Sequence, residues 1–149
     1  MSEPKSQRMT PMVRSAVGAA VLVLAALAYY FNVGFWVADA DTRGKFQGVD
    51  LVTVQSVETD IGDVQHVTDV EKHEREVGDL LNALRQSRTR QGYKPPKDAA
   101  PGYIRVRTVS GGKIENLTVF FPADSIRDRL GPEVDKAVRA VHAAGRPKG

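Results

Sequence analysis

Apolar positions along this chain form a block, several alternations and two helical stripes, and each pattern predicts its own kind of element. The block is Ser15 to Trp36, SAVGAAVLVLAALAYYFNVGFW, 22 residues without a charge and with only Ser15 and Asn32 as polar interruptions. As a helix it would extend about 33 Å at 1.5 Å per residue, close to the roughly 30 Å of bilayer hydrocarbon. Tyr29, Tyr30, Phe31, Phe35 and Trp36 gather at its C-terminal end, where amphipathic rings favour the headgroup level. Residues 15–37 are therefore expected to form a transmembrane helix in contact with lipid. The small residues Ala16, Gly18 and Ala20 could let two such helices approach closely. A cleavable signal peptide is the rival reading, with a basic region ending at Arg14, an apolar core from Ala16 to Ala28 and Ala38-Asp39-Ala40 as the cleavage site. The apolar run outlasts a signal core, which favours a retained anchor.

After the block, residues 38–48 are polar, hold two glycines and show no apolar period, so they read as a tether. The folded part is expected over 49–144, with 145–149 as a frayed tail. Asp50 to Glu58 is rich in β-branched residues and partly alternating, which predicts a strand. Ile61-Gly62-Asp63 reads as a turn, and Val64 to Val67 as a short return strand. Thr68-x-x-Glu71 fits a capping box, so a helix is expected from about Asp69 to Gln91. Val70, Val77, Leu80, Leu81 and Leu84 give it one apolar stripe. Its acids come early and Arg85, Arg88 and Arg90 come late, as the helix dipole favours. The three prolines and two glycines of residues 92–102 make a loop.

Tyr103 to Val109 and Lys113 to Phe121 flank Gly111-Gly112, a two-residue hairpin signal. Pairing Ser110 with Lys113 sets Ile104 opposite Val119 and Val106 opposite Leu117, one apolar face. The other face sets Tyr103 beside Phe120, Arg105 beside Thr118, Arg107 beside Asn116 and Val109 beside Ile114. Asp124 or Ser125 can cap a short helical turn to Leu130, and Gly131-Pro132 opens a last helix with Val134, Val138 and Val141 on one edge. The resulting strand-strand-helix-strand-strand-helix order predicts an α+β fold, a small antiparallel sheet packed against one long helix, with a C-terminal helix.

Composition narrows the function classes. With no cysteine there is no disulfide framework, thiolate metal site or thiol nucleophile. Residues 1–14 form a basic tail, carrying Lys5, Arg8 and Arg14 against Glu3. The rest is nearly neutral, with 18 basic and 17 acidic side chains, which argues against nucleic acid as a partner. Three basic residues before the apolar block against Arg43 and Lys45 after it favour a cytoplasmic N-terminus and an extracytoplasmic domain.

No G-x-S-x-G, H-E-x-x-H or P-loop pattern occurs, so neither a catalytic site, a cofactor nor a metal is expected. His73, one turn after Asp69 on the expected helix, is the one candidate for a metal-dependent or hydrolytic site, and with no ligand spacing to His66 or His142 it reads instead as a half-buried core histidine. Residues 85–107 carry seven basic side chains against Asp98, and residues 58–79 carry eight acids against Lys72 and Arg75. These stretches can balance each other within the fold or across a homo-oligomer. The expectation is a non-enzymatic single-pass membrane protein, an accessory or binding subunit of an envelope complex. It would meet a protein partner through Tyr103, Arg105, Arg107 and Phe120 with Arg88 and Arg90 nearby. The alternative is a small secreted binding or inhibitor protein released after Ala40.

Overall fold

A computed structural model describes residues 10–33 and 35–149. The chain divides into two units, the first ending at Phe35 and the second running from Trp36 to Gly149. Lys5 and Arg8 of the expected basic tail lie outside the described residues.

The first unit contains α1 (Pro11–Val33). Pro11 opens it at a position where the missing N–H is not needed. Its stretch Pro11–Tyr30 is long and apolar enough to cross a membrane, as a signal sequence also is. The expected limits shift at both ends: the helix begins four residues before Ser15, and it stops at Val33, so Trp36 belongs to a strand.

The second unit is an α+β domain. Its main sheet has the order β6-β5-β2-β3-β7, all antiparallel, from β2 (Val54–Ile61), β3 (Val64–Asp69), β5 (Pro101–Ser110), β6 (Lys113–Pro122) and β7 (Arg146–Pro147). A second sheet pairs β1 (Trp36–Ala38) with β4 (Arg88–Arg90). The helices are α2 (Ala40–Phe46), α3 (Glu74–Arg85), α4 (Ile126–Leu130) and α5 (Pro132–Ala144).

Turn chemistry sets the hairpins. Gly111 and Gly112 both take positive φ (58° and 78°), the twist that joins two strands through two residues. The pairing runs from Ser110–Lys113 to Pro101–Pro122 in the expected register. Ile104, Val106, Val119 and Phe121 then share the inner face with Val57 of β2. Against them pack Val77, Leu80, Leu81 and Leu84 of α3, Val134, Val138 and Val141 of α5, and Ile126, Leu130 and Phe46. Each fully buried side chain of this kind stabilises the fold by about 1.5–3 kcal/mol.

Four expectations are corrected. The helix predicted from Asp69 begins at Glu74, with His73 at its N-cap. Thr68 stays in β3 and its hydroxyl donates to the Val141 carbonyl (2.8 Å), so it is spent on tying the C-terminus of α5 to the sheet. The same helix ends at Arg85 rather than near Gln91, and Arg88 and Arg90 lie on β4. The tether 38–48 is folded: Ala38 closes β1, and α2 buries Thr42 and Phe46. The tail is not frayed, because Arg146 and Pro147 pair with Val67 and His66. Gly145 permits that return, since a Cβ there would lie 2.7 Å from Thr68 Oγ1.

Candidate functional site

Strand alternation puts helices on one face of the main sheet and leaves the other face open. Reading across the open face, Thr118, Arg105, Glu58, Val67 and Arg146 form one row, and Phe120, Tyr103, Asp60 and Gln65 form the next. Asn116, Arg107, Ser56 and Asp69 make a third.

Glu58 is the centre of this face. Its Oε1 accepts from the Tyr103 hydroxyl and from Lys148 Nζ (3.0 Å), and Arg105 Nη1 lies 3.6 Å away. Arg105 also donates from Nε to Thr118 Oγ1 (3.4 Å) and stands 4.9 Å above the Tyr103 ring, within cation–π reach. Phe120 meets Tyr103 edge to face at 6.3 Å and is 68% exposed. Burial works to raise the Glu58 carboxyl, but the hydrogen bonds from Tyr103 and Lys148 and the charges of Lys148 and Arg105 outweigh it and hold the group below its usual range. The same hydrogen bond to Glu58, with burial, pushes the Tyr103 phenol up to about 12. Tyr103 is thus a neutral donor at physiological pH rather than a base. Beyond Phe120 the face continues into an open groove of about 440 Å³ lined by Tyr93, Pro95, Pro96, Pro101, Phe120 and Pro122.

Of the six residues expected to act together, the structure gathers Tyr103, Arg105 and Phe120, with Arg107 exposed one row along. It does not bring Arg88 and Arg90 to them. Both project from β4 in the second sheet, where Arg90 lies 3.7 Å from Asp128. Glu58 and Lys148 were not expected here. They reach Tyr103 only because β5 pairs with β2 and because the tail folds back along β3.

A second ionic centre lies between the small sheet and the helices. Asp39 caps α2, accepting from Thr42 N (3.3 Å) and Thr42 Oγ1 (2.8 Å), and pairs with Arg129 of α4. Arg129 also donates to Thr89 Oγ1 (3.2 Å), and Arg43 Nε donates to the Ser87 carbonyl (2.8 Å). Burial works to raise the Asp39 carboxyl, and the bonds from Arg129 and Thr42 overcome it and hold it low. This centre joins β1, α2, β4 and α4.

Two histidines form a third cluster. His66 and His142 stack with ring centroids 4.0 Å apart at 5°. His142 Nδ1 is 2.8 Å from Thr59 Oγ1, and His66 Nδ1 is 2.5 Å from the His142 carbonyl, so the pair fastens α5 to the sheet. Burial first, and then the neighbouring His66, hold the His142 imidazole below its ordinary value. His73 caps α3 without a side-chain hydrogen bond to it. Among the described residues no three His, Cys, Asp or Glu side chains gather to hold a metal ion. Comparison of the chain with protein-family models, with curated proteins and with solved structures found no match.

Proposed function

We propose that the chain is a single-pass membrane protein, non-enzymatic, whose extracytoplasmic α+β domain serves as a binding or accessory subunit of a cell-envelope complex. The carrying observation is the open sheet face, where Tyr103, Arg105 and Lys148 converge on Glu58 beside the exposed Phe120. Aromatic and arginine side chains held in fixed positions are what a protein partner rewards most, because little conformational entropy is lost on contact. The orientation rests on Lys5, Arg8 and Arg14 ahead of the uncharged run that starts at Ser15.

Retention of the anchor is supported by the folded segment after it. Cleavage after Ala40 would remove β1 and the Asp39 carboxylate and leave the Arg129 guanidinium, only 28% exposed, without its partner. That weighs against a secreted form ending its leader there.

The test is charge reversal at Arg105→Glu and Arg107→Glu in the full chain, followed by partner capture from detergent extracts. Loss of the captured protein with an unchanged fold is expected, and undiminished capture would overturn the assignment of this face. Topology is read by Gly149→Cys, which supplies the chain's sole thiol. Labelling of intact cells by a membrane-impermeant maleimide is expected, whereas labelling only after lysis would place the domain in the cytoplasm.

A further inference from the structure

β6 is the outermost strand on its side of the main sheet, and its register says where its backbone points. Because Ser110 and Lys113 close a two-residue turn, Lys113, Glu115, Leu117, Val119 and Phe121 direct their N–H and C=O groups to β5. Ile114, Asn116, Thr118 and Phe120 direct theirs away from the sheet. Lys45 Nζ, which reaches the Thr118 carbonyl from outside at 3.2 Å, agrees with that direction. Among the described residues no other hydrogen bond reaches this outward row. A ten-residue edge guarded by one flexible lysine and a terminal proline is a template for another strand.

The side chains of the outward row indicate which strand fits. Ile114 (52% exposed) and Phe120 (68%) stand at opposite ends of it on the same face, with the polar Asn116 and Thr118 between. That spacing is self-complementary. An antiparallel copy of β6 centred on Leu117 sets Ile114 against Phe120 of the second copy and Asn116 against its Thr118, and it does so twice by symmetry. Val109, Ile114, Phe120 and Tyr103 then form an unbroken apolar row across the junction. A shift of two residues either way breaks both apolar pairs. On the inner side, an open cleft of about 490 Å³ lined by Lys45, Val49, Thr53, Glu115 and Leu117 leaves room for the Leu117 side chain of the second copy.

We propose that β6 pairs with β6 of a second copy of this chain about a twofold axis at Leu117, joining two five-stranded sheets into one. The two open faces then lie side by side, so a partner with two binding segments meets two Glu58 centres at once.

The chain has no cysteine, so one introduced thiol reads the register. Residues facing across the axis form a non-hydrogen-bonded pair about 4.5 Å apart at Cα, within the span of a disulfide. In the full chain in detergent micelles, Leu117→Cys is expected to give a disulfide-linked dimer on mild oxidation, and Glu115→Cys, displaced from its own copy by about 13 Å along the strands, is not. Asn116→Pro removes only an outward N–H and is expected to convert the dimer mass in light scattering to monomer with the circular dichroism spectrum unchanged. Ile114→Lys, at a side chain already exposed, is expected to do the same should the proline variant misfold. Equal cross-linking at 115 and 117, a monomeric wild type, a dimer that survives both folded variants, or a complex whose second strand comes from another protein would each overturn the proposal.

Discussion

Asp39 and Glu58 are both carboxylates held by arginine, yet they do different work because of what surrounds them. Asp39 is 7% exposed at its side chain and joins four elements, so its partners are spent on holding the domain together. Glu58 is 15% exposed, and its arginine and lysine are 38% and 45% exposed on a face that no helix of the domain covers. The first arrangement is a fastening and the second a surface ordered in advance. Charge pairing alone therefore does not distinguish a fastening from a candidate site; the openness of the groups around the pair does.

Breaking each pair should separate the two. Asp39→Ala removes a helix cap and strands a partly buried guanidinium, and a loss of about 2–4 kcal/mol in urea unfolding is expected. Glu58→Gln keeps the shape and loses charge-assisted bonds to exposed partners, so about 1 kcal/mol is expected by the same measurement, with partner capture reduced far more than stability. Equal losses from the two variants would erase the distinction.

The pH dependence sharpens it. Both carboxyls are lowered in the fold, so their stabilisation is present above the ordinary carboxylate values of 3.8 and 4.5 and is lost as pH falls through the folded values. His142 is also lowered, so stability should already decline as pH drops from 6.5 toward its folded value. A His142→Gln variant should show a flatter melting-temperature profile over that window. The smallest effect is expected at the alkaline end. With the Tyr103 phenol raised to about 12, its contribution is present below pH 10 and lost as pH rises through the folded value. Burial raises the Tyr93 phenol as well, so absorbance at the phenolate band should show late titration from both tyrosines in the wild type, with the component near 12 absent in Tyr103→Phe.

The register of the β5–β6 hairpin was legible to the residue because two adjacent glycines fix a turn and a period of two then fixes both faces, although β5 begins at Pro101, inside the stretch read as a loop. The α3 helix was legible only in its middle. Val70 is buried and falls on the stripe, but it precedes the helix, and the competing use of the Thr68 hydroxyl is a contact with a residue far along the chain. Arg88 and Arg90 satisfied the dipole argument while alternating, as strand residues do. Residues 38–48 read as a tether because Phe46 alone supplies their buried apolar anchor there. At the candidate site, Tyr103, Arg105 and Phe120 follow from local register. Glu58 required knowing which strands are neighbours, although its place beside the inward Val57 already turned it toward the face that Arg105 shares.

Trp36 begins β1 directly after the N-terminal unit ends at Phe35. Tension passed along the chain from α1 therefore enters the domain at a ladder of three residue pairs, Trp36 with Arg90, Val37 with Thr89 and Ala38 with Arg88. Asp39, gripped by Arg129 and Thr42, sits immediately behind that ladder. Were α1 anchored as proposed, a pull on it would load the β1 ladder first and the Asp39 grip next along the chain. The strands of the five-stranded sheet all follow both of these points along the chain.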